Sequence, residues 1–350
     1  MPDVSAGALS AFGWSDRVLA LFNDVADPVA DLADAGSVPA RVVRVERSSC
    51  SAVFADGAEQ SLRAAVLPAV GDWVAASDGV VRHVLARWSS LTRVDPDPAG
   101  AGTQVLAANI DVVFITAPAD RLSPARVDRE LVMAWDSGAQ PVVVLTKADL
   151  AAAGTARELS ERLVGAEVLA VSAITGQGVP ELREYLTPCK TAVFLGPSGA
   201  GKSTLANALL GEEAMATGAV RDVDGRGRHT TTWRQLVRVP SGGVFIDTPG
   251  LRSLGLGGDV PIGEVFADIG LLAEGCRFAD CVHEAEPGCA VNRAVAEGRL
   301  DPDRFRSFQK LQREMAVERR RYDPLARKAE QRLWKERTKW AKLNDKRKVR

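Results

Sequence analysis

The stretch Gly196-Pro197-Ser198-Gly199-Ala200-Gly201-Lys202-Ser203 has the spacing G-x-x-x-x-G-K-[ST]. Glycines at those positions let the backbone wrap an anion, so that successive N–H groups point inward at phosphate oxygens. An apolar run, Thr191–Leu195, precedes the loop, and a helical stretch, Thr204–Leu210, follows it. The positive end of that helix would add to the anion site. Lys202 would reach the β- and γ-phosphates, and the Ser203 hydroxyl would ligate Mg²⁺. A chance match is the competing reading, and the strand and helix on either side speak against it. A nucleoside triphosphate site is implied.

Thr146-Lys147-Ala148-Asp149 closes another apolar run, Pro141–Thr146, and resembles the guanine motif N-K-x-D. A carboxylate at 149 can accept from the ring N–H and the exocyclic amine of guanine, a donor pair that adenine lacks. The aliphatic stem of Lys147 can cover the base. Thr146 stands in place of asparagine, which removes one amide contact and predicts looser guanine binding. The run Glu167–Val171 leads into Ser172-Ala173, which resembles the accessory guanine loop. Each motif is short, but both fall where predicted strands end, the edge at which ligands bind sheets of this kind.

The order is unusual. The guanine-type motifs precede the phosphate loop, and Asp247-Thr248-Pro249-Gly250, resembling the D-x-x-G switch, comes last. Most GTPases run the other way, so the chain reads as circularly permuted, which closed α/β folds tolerate when new termini open at surface loops. The switch then leads directly into the C-terminal segment, a covalent route for γ-phosphate-dependent movement. Asp247 is expected to hold Mg²⁺ through water, and the Gly250 N–H to sense the γ-phosphate. Leu251 follows, where Ras-like enzymes carry a water-positioning glutamine. The loop Gly225–Thr232 supplies the replacements: Thr231, chosen over Thr230, as a Mg²⁺ ligand, and His229 to position the attacking water. With Lys202 these are the candidate catalytic residues. A lone histidine is ordinarily without a role. His229 is one of three in the chain and lies in the switch loop, so both readings stand.

Cys276, Cys281, His283 and Cys289 follow the pattern C-x₄-C-x-H-x₅-C. Three thiolates and one imidazole close a tetrahedral Zn²⁺ site with no open position, hence structural. Cys50 and Cys189 lie apart and read as buried thiols.

These groups need elements to position them. The 350 residues are 46% hydrophobic and 25% charged, which suits folded domains. No apolar run approaches the ~18 residues of a membrane span. The first basic residue is Arg17 and the cysteines are few, so a cytoplasmic protein is expected. After an extension, 1–37, five short β-type runs (Ala40–Glu46, Cys50–Phe54, Gln60–Ala64, Asp72–Ala76 and Val80–Ala86) predict a small OB-like barrel over 38–95. Beyond the linker 95–100, apolar strands at Asp111–Thr116, Pro141–Thr146, Glu167–Val171, Thr191–Leu195 and Gly243–Ile246 alternate with helical stretches. That pattern predicts an α/β GTPase domain over 101–258. A helical zinc domain is expected over 262–321, then a basic helical tail over 322–350. From Arg304 to Arg350 there are 18 Lys and Arg against 6 Asp and Glu, a local +12. The preceding 303 residues therefore carry −13 for a chain total of −1. The tail reads either as a solvated helix or as an arm for phosphates.

Together the motifs resemble the ribosome small-subunit-dependent GTPase A (RsgA) family over about residues 38–320. The most specific parts are the permuted order, Gly227–Thr232, Asp247–Gly250, and the Cys/His pattern with its Glu286-Pro287-Gly288. Gly71-Asp72-Trp73-Val74 and Ala107-Ala108-Asn109-Ile110-Asp111 look like further landmarks, the latter without independent chemistry in the sequence. The resemblance implies GTP and GDP as ligands with Mg²⁺ and one structural Zn²⁺. It implies a cytoplasmic monomer that binds the small ribosomal subunit and its rRNA late in assembly, hydrolyses GTP when docked, and helps release assembly factors. It also implies that His229 replaces the missing glutamine. Two alternatives remain: an RNA-binding module using GTP only as an affinity switch, and another P-loop NTPase.

Overall fold

The computed structural model describes residues 7–25, 36–46, 48–94, 103–163, 165–211, 234–247, 262–284 and 286–322. The chain divides into two compact units, Met1–Gly255 and Leu256–Arg350.

In the first unit a helix, α1 (Asp16–Val25), precedes five strands: β1 (Val38–Val45), β2 (Ser49–Val53), β3 (Glu59–Arg63), β4 (Trp73–Ser77) and β5 (Val80–Val84). They pair in the order β1-β2-β3-β5-β4, and β4 returns to β1, closing the barrel. Alternating small and branched residues fill it: Ala40, Val42, Cys50, Ala52, Leu62, Val74 and Ala76. Asp78 and Gly79 both take positive φ between β4 and β5, the two-residue turn whose twist suits a tight hairpin. The N-terminal segment is part of this packing. Leu9, Trp14, Val18 and Phe22 are buried, and Trp14 meets Trp73 edge-on at 5.5 Å.

The linker expected over 95–100 lies outside the described residues, and β6 (Ser90–Val94) and β7 (Thr103–Ala108), on either side of it in sequence, pair antiparallel. Six strands then build the α/β layer: β8 (Val112–Pro118), β9 (Gln140–Thr146), β10 (Glu167–Val171), β11 (Thr191–Leu195), β12 (Gln235–Arg238) and β13 (Val244–Asp247). Their order is β10-β9-β8-β11-β13-β12, parallel except for β12. The helices α2 (Pro124–Asp136), α3 (Thr155–Arg162), α4 (Val179–Glu184) and α5 (Lys202–Leu210) connect them. Phe114, Phe194 and Phe245 form an aromatic row in the core. β12 also pairs with barrel strand β1 through Arg44 and Gln235, so barrel and α/β layer share one sheet of 11 strands.

The junction explains the landmark residues that carried no chemistry in the sequence. Asn109, at φ +56°, donates its amide to the Gly71 carbonyl at 3.0 Å and accepts from the Trp88 N–H. A side chain at 71 would overlap the Ala108 carbonyl, and Gly71 itself lies at φ +90°. Asp72, fully buried, accepts twice from Arg87 at 2.7 and 2.6 Å. Asp111 accepts from the Thr191 N–H at 2.8 Å, aligning the start of β11. Cys50 is buried inside the barrel, while Cys189 is only half-buried and donates its thiol to the Trp14 carbonyl.

The second unit contains α6 (Ile262–Val265), α7 (Ala267–Ala273), α8 (Ala290–Ala296) and α9 (Pro302–Tyr322). Arg304 is buried among them, pairing with Asp268, donating to the Val265 carbonyl at 2.6 Å and lying over the Phe266 ring. Phe305, Phe308, Leu311 and Met315 bury one stripe of α9. Among the described residues no helix is long and apolar enough to cross a membrane.

Candidate nucleotide site and metal centre

The parallel strands bring Pro118, Thr146, Val171, Leu195 and Asp247 to one edge of the sheet, at their carboxyl ends. The loops that follow those residues carry the predicted site.

Gly196, Gly199 and Gly201 all have positive φ, and a side chain at 196 would overlap Thr116. The Thr116 hydroxyl donates to the Leu195 carbonyl at 2.7 Å and fixes where the loop leaves the strand. Helix α5 begins at Lys202, two residues before the predicted start, because left-handed Gly201 caps it. Ser203 and Thr204 thus lie in its first turn, where backbone N–H groups are unpaired within a helix. The Lys202 ammonium donates to the Gly196 and Pro197 carbonyls at 2.9 and 2.7 Å, poised within the curl of the loop. Burial pushes the Asp247 carboxyl above its usual range, and the charge of Lys202 pulls it back, so these two groups face one field.

Thr146 is buried and donates its hydroxyl to the Ala200 carbonyl at 2.7 Å. The sequence treated this residue only as a lost amide. Its hydroxyl fastens the loop after β9 directly to the phosphate loop. Lys147 takes φ +55° and its ammonium sits 2.7 Å from Asp120. Asp149, in the short turn Ala148–Leu150, is exposed and open to a ligand. Ser172 is buried and braces its loop by accepting from the Thr175 N–H, with Ala173 half-buried beside it.

Asp120 and Arg121 escaped the sequence reading. They lie in a short 3-10 turn, Ala119–Arg121, at the end of β8, and Arg121 donates to the Gly199 carbonyl at 3.0 Å. An acidic–basic pair directly after an apolar strand was the available signal. His229, Thr231 and Gly250, with their loops Gly225–Thr232 and Thr248–Gly250, lie outside the described residues.

In the second unit the ligand atoms of Cys276, Cys281, His283 and Cys289 all lie within 4.8 Å of one another. The His283 Nδ1 is 3.7 Å from the Cys276 sulfur and 3.5 Å from that of Cys289, and the two sulfurs are 3.9 Å apart. A tetrahedral zinc site, with bonds of about 2.3 Å to sulfur and 2.0–2.1 Å to nitrogen, requires about 3.8 Å between sulfurs and about 3.6 Å from sulfur to nitrogen. The residues fit the ion. Burial lowers the His283 pKa, which favours the neutral imidazole that a ligand must be, against the raising effect of Glu286. The backbone N–H groups of Ala290 and Asn292 point at the Cys276 and Cys289 sulfurs, and Gln309 holds the His283 carbonyl.

A six-stranded P-loop sheet whose phosphate loop follows the fourth strand in chain order, not the first, defines the class: a circularly permuted P-loop GTPase. The family model described as RsgA GTPase matches residues 84–257. The "Small ribosomal subunit biogenesis GTPase RsgA" of Streptomyces coelicolor is 47% identical over 325 residues, covering 88% of this chain and 86% of that protein. The chain belongs to the RsgA GTPase family. The crystal structure of YjeQ from Thermotoga maritima aligns with a TM-score of 0.58 at 26% identity, covering 80% of this chain and 99% of that one. YloQ, described as a circularly permuted GTPase, shares the fold with a TM-score of 0.55 at 22% identity over 84% of this chain and 99% of its own.

Proposed function

We propose that this chain hydrolyses GTP to GDP and phosphate while docked on the small ribosomal subunit, late in the maturation of that subunit. The carrying observation is the bond from Thr146 to Ala200, which joins a phosphate loop and a guanine-type loop into one site. The ribosomal setting is supported by the printed name of the 47% identical relative.

In this reading Asp149 accepts from the ring N–H and exocyclic amine of guanine. The stem of Lys147 covers the base, and the Ser172-Ala173 backbone lines its far edge. The N–H groups of Gly196–Thr204 hold the phosphates, with Lys202 at the β- and γ-positions. Ser203, Thr231 and, through water, Asp247 would hold Mg²⁺, which supplies neutralisation of the phosphate charge. The Gly250 N–H senses the γ-phosphate, and His229 positions the attacking water. Cys276, Cys281, His283 and Cys289 would hold one structural Zn²⁺. The protein works as a cytoplasmic monomer, touches rRNA, and promotes release of assembly factors.

The test is GTP turnover with and without small subunits, with ATP as control, at low and physiological salt. Stimulation by subunits, confined to GTP and lost in His229→Ala while GTP still binds, is the expected result. Turnover indifferent to subunits would leave only a nucleotide-switched binding module, and equal use of ATP would point to a different P-loop NTPase.

A further inference from the structure

We propose that Asp120 and Arg121 are positioning residues of the nucleotide site, clamping the guanine loop to the phosphate loop from the strand between them. The inference rests on the reading of those loops as a GTP site.

Strand β8 pairs with β9 on one side and with β11 on the other. The turn at its carboxyl end therefore stands between the loop carrying Lys147 and the loop carrying Gly199. The two adjacent side chains in that turn divide the work. Asp120 reaches the β9 side and holds the Lys147 ammonium at 2.7 Å. Arg121 reaches the β11 side and donates to the Gly199 carbonyl at 3.0 Å. Gly199 itself lies at φ +72°, a backbone that favours glycine, and a side chain there would push the guanidinium aside.

The need for such a clamp follows from Thr146. Its single hydroxyl is committed to Ala200, and a threonine has no second polar group with which to brace the loop. Asp120 and Arg121 add one charge-assisted bond to each loop, the stronger kind of hydrogen bond. Anchoring the Lys147 ammonium also limits the wandering of the four-carbon stem that covers the base. The hydrogen bond from Lys147 lowers the Asp120 pKa, so the carboxylate is ionised at neutral pH.

Both side chains act through the loops they hold, so the expected signature is in retention and not in chemistry. Dissociation of fluorescent GDP and GTP analogues from the full chain is measured by stopped flow. Asp120→Asn and Arg121→Ala should each speed dissociation by about three- to fivefold, the worth of one solvent-exposed charge-assisted bond, with association and the thermal melt little changed. Asp120→Asn placed on Lys147→Ala should add far less than on the parent, the remainder being its looser pair with Arg121 at 3.8 Å, whereas Arg121→Ala on Lys147→Ala should add most of its effect. Thr146→Asn should restore part of the retention lost in Asp120→Asn. A loss for Asp120→Asn on Lys147→Ala as large as on the parent would overturn the assignment of Asp120 to Lys147. Unchanged dissociation in both single variants would overturn the clamp and leave the nucleotide site standing. Failure of the unsubstituted chain to bind either analogue would overturn the site reading and the clamp together.

Discussion

The Arg41 guanidinium donates to the Thr191 hydroxyl at 3.1 Å, joining residues 150 positions apart in sequence. Arg41 is a fully buried residue of barrel strand β1, stacked over Trp73 at 4.7 Å. Thr191 opens β11, the strand that ends in the phosphate loop. Burial pulls the Arg41 pKa down to about 10 against the charges of Asp111 and Asp72, so it stays a cation at neutral pH. Its Nε and Nη1 have no hydrogen-bond partner among the described residues. The bond therefore ties the barrel to the root of the nucleotide site at a cost in desolvation.

That balance gives two outcomes in urea unfolding. Arg41→Ala should destabilise by about 3–5 kcal/mol, through the cavity and the lost pair. Arg41→Met should recover most of this, since the buried charge leaves and the packing stays. Equal losses for both would mean that the charge, and not the volume, holds the junction.

Glu130, on α2, sets a pH dependence. Its carboxyl is mostly buried, its Oε2 lacks a partner among the described residues, and burial pushes its pKa from 4.5 up to about 7 against Arg126, Lys202 and Arg129. A folded-state pKa above the unfolded one means that folding retains a proton, so stability is full below about pH 4.5 and falls as pH rises through 7. The contribution is on the order of 2–3 kcal/mol. Glu130→Gln should therefore stabilise the nucleotide-free chain at pH 8 and leave it unchanged at pH 4. A variant with the same pH slope as the parent would remove Glu130 from the account.

The Cys/His cluster makes a prediction about composition. Purified without chelators, the chain should carry about one zinc per molecule. Cys289→Ala should lose the metal and the helical signal of the second unit, because Cys289 also caps α8 through the Asn292 N–H. GDP affinity should persist, since the nucleotide loops belong to the other unit. Full helicity in a metal-free chain would refute the structural role.

Motifs whose partners are local were legible in the sequence, and contacts between distant loops were not. The phosphate loop announces itself because its glycines, lysine and flanking strand are contiguous. The hydroxyl of Thr146 could not be assigned from its own tetrapeptide, because its acceptor lies 54 positions further on. Asn109 looked inert for the same reason: its value is a left-handed backbone and an amide aimed at Gly71, 38 positions away. β6, Ser-Leu-Thr-Arg-Val, and β12, Gln-Leu-Val-Arg, are too short and polar for periodicity to separate them from loop. They exist because neighbours supply their hydrogen bonds. Phe305 and Phe308, at the start of the basic stretch from Arg304, pack inward, Phe308 against Phe266 at 5.3 Å.

The phosphate contact expected of the C-terminal arm rests on its charges. Residues 321–350 hold 12 Lys and Arg against 4 Asp and Glu. Each phosphate neutralised releases counterions and steepens the dependence of log K on log salt by about 0.7–0.9. If half of the twelve cations engage rRNA, deleting 321–350 should flatten the slope for small-subunit binding by about 4–5, with affinity falling most at low salt. Intrinsic GTP turnover without subunits should be unaffected, because the arm belongs to the second unit and the nucleotide loops to the first. Subunit sedimentation across a potassium chloride series distinguishes the cases. A parallel slope with and without the arm would assign these cations to a solvated helix and move the rRNA contact elsewhere in the chain.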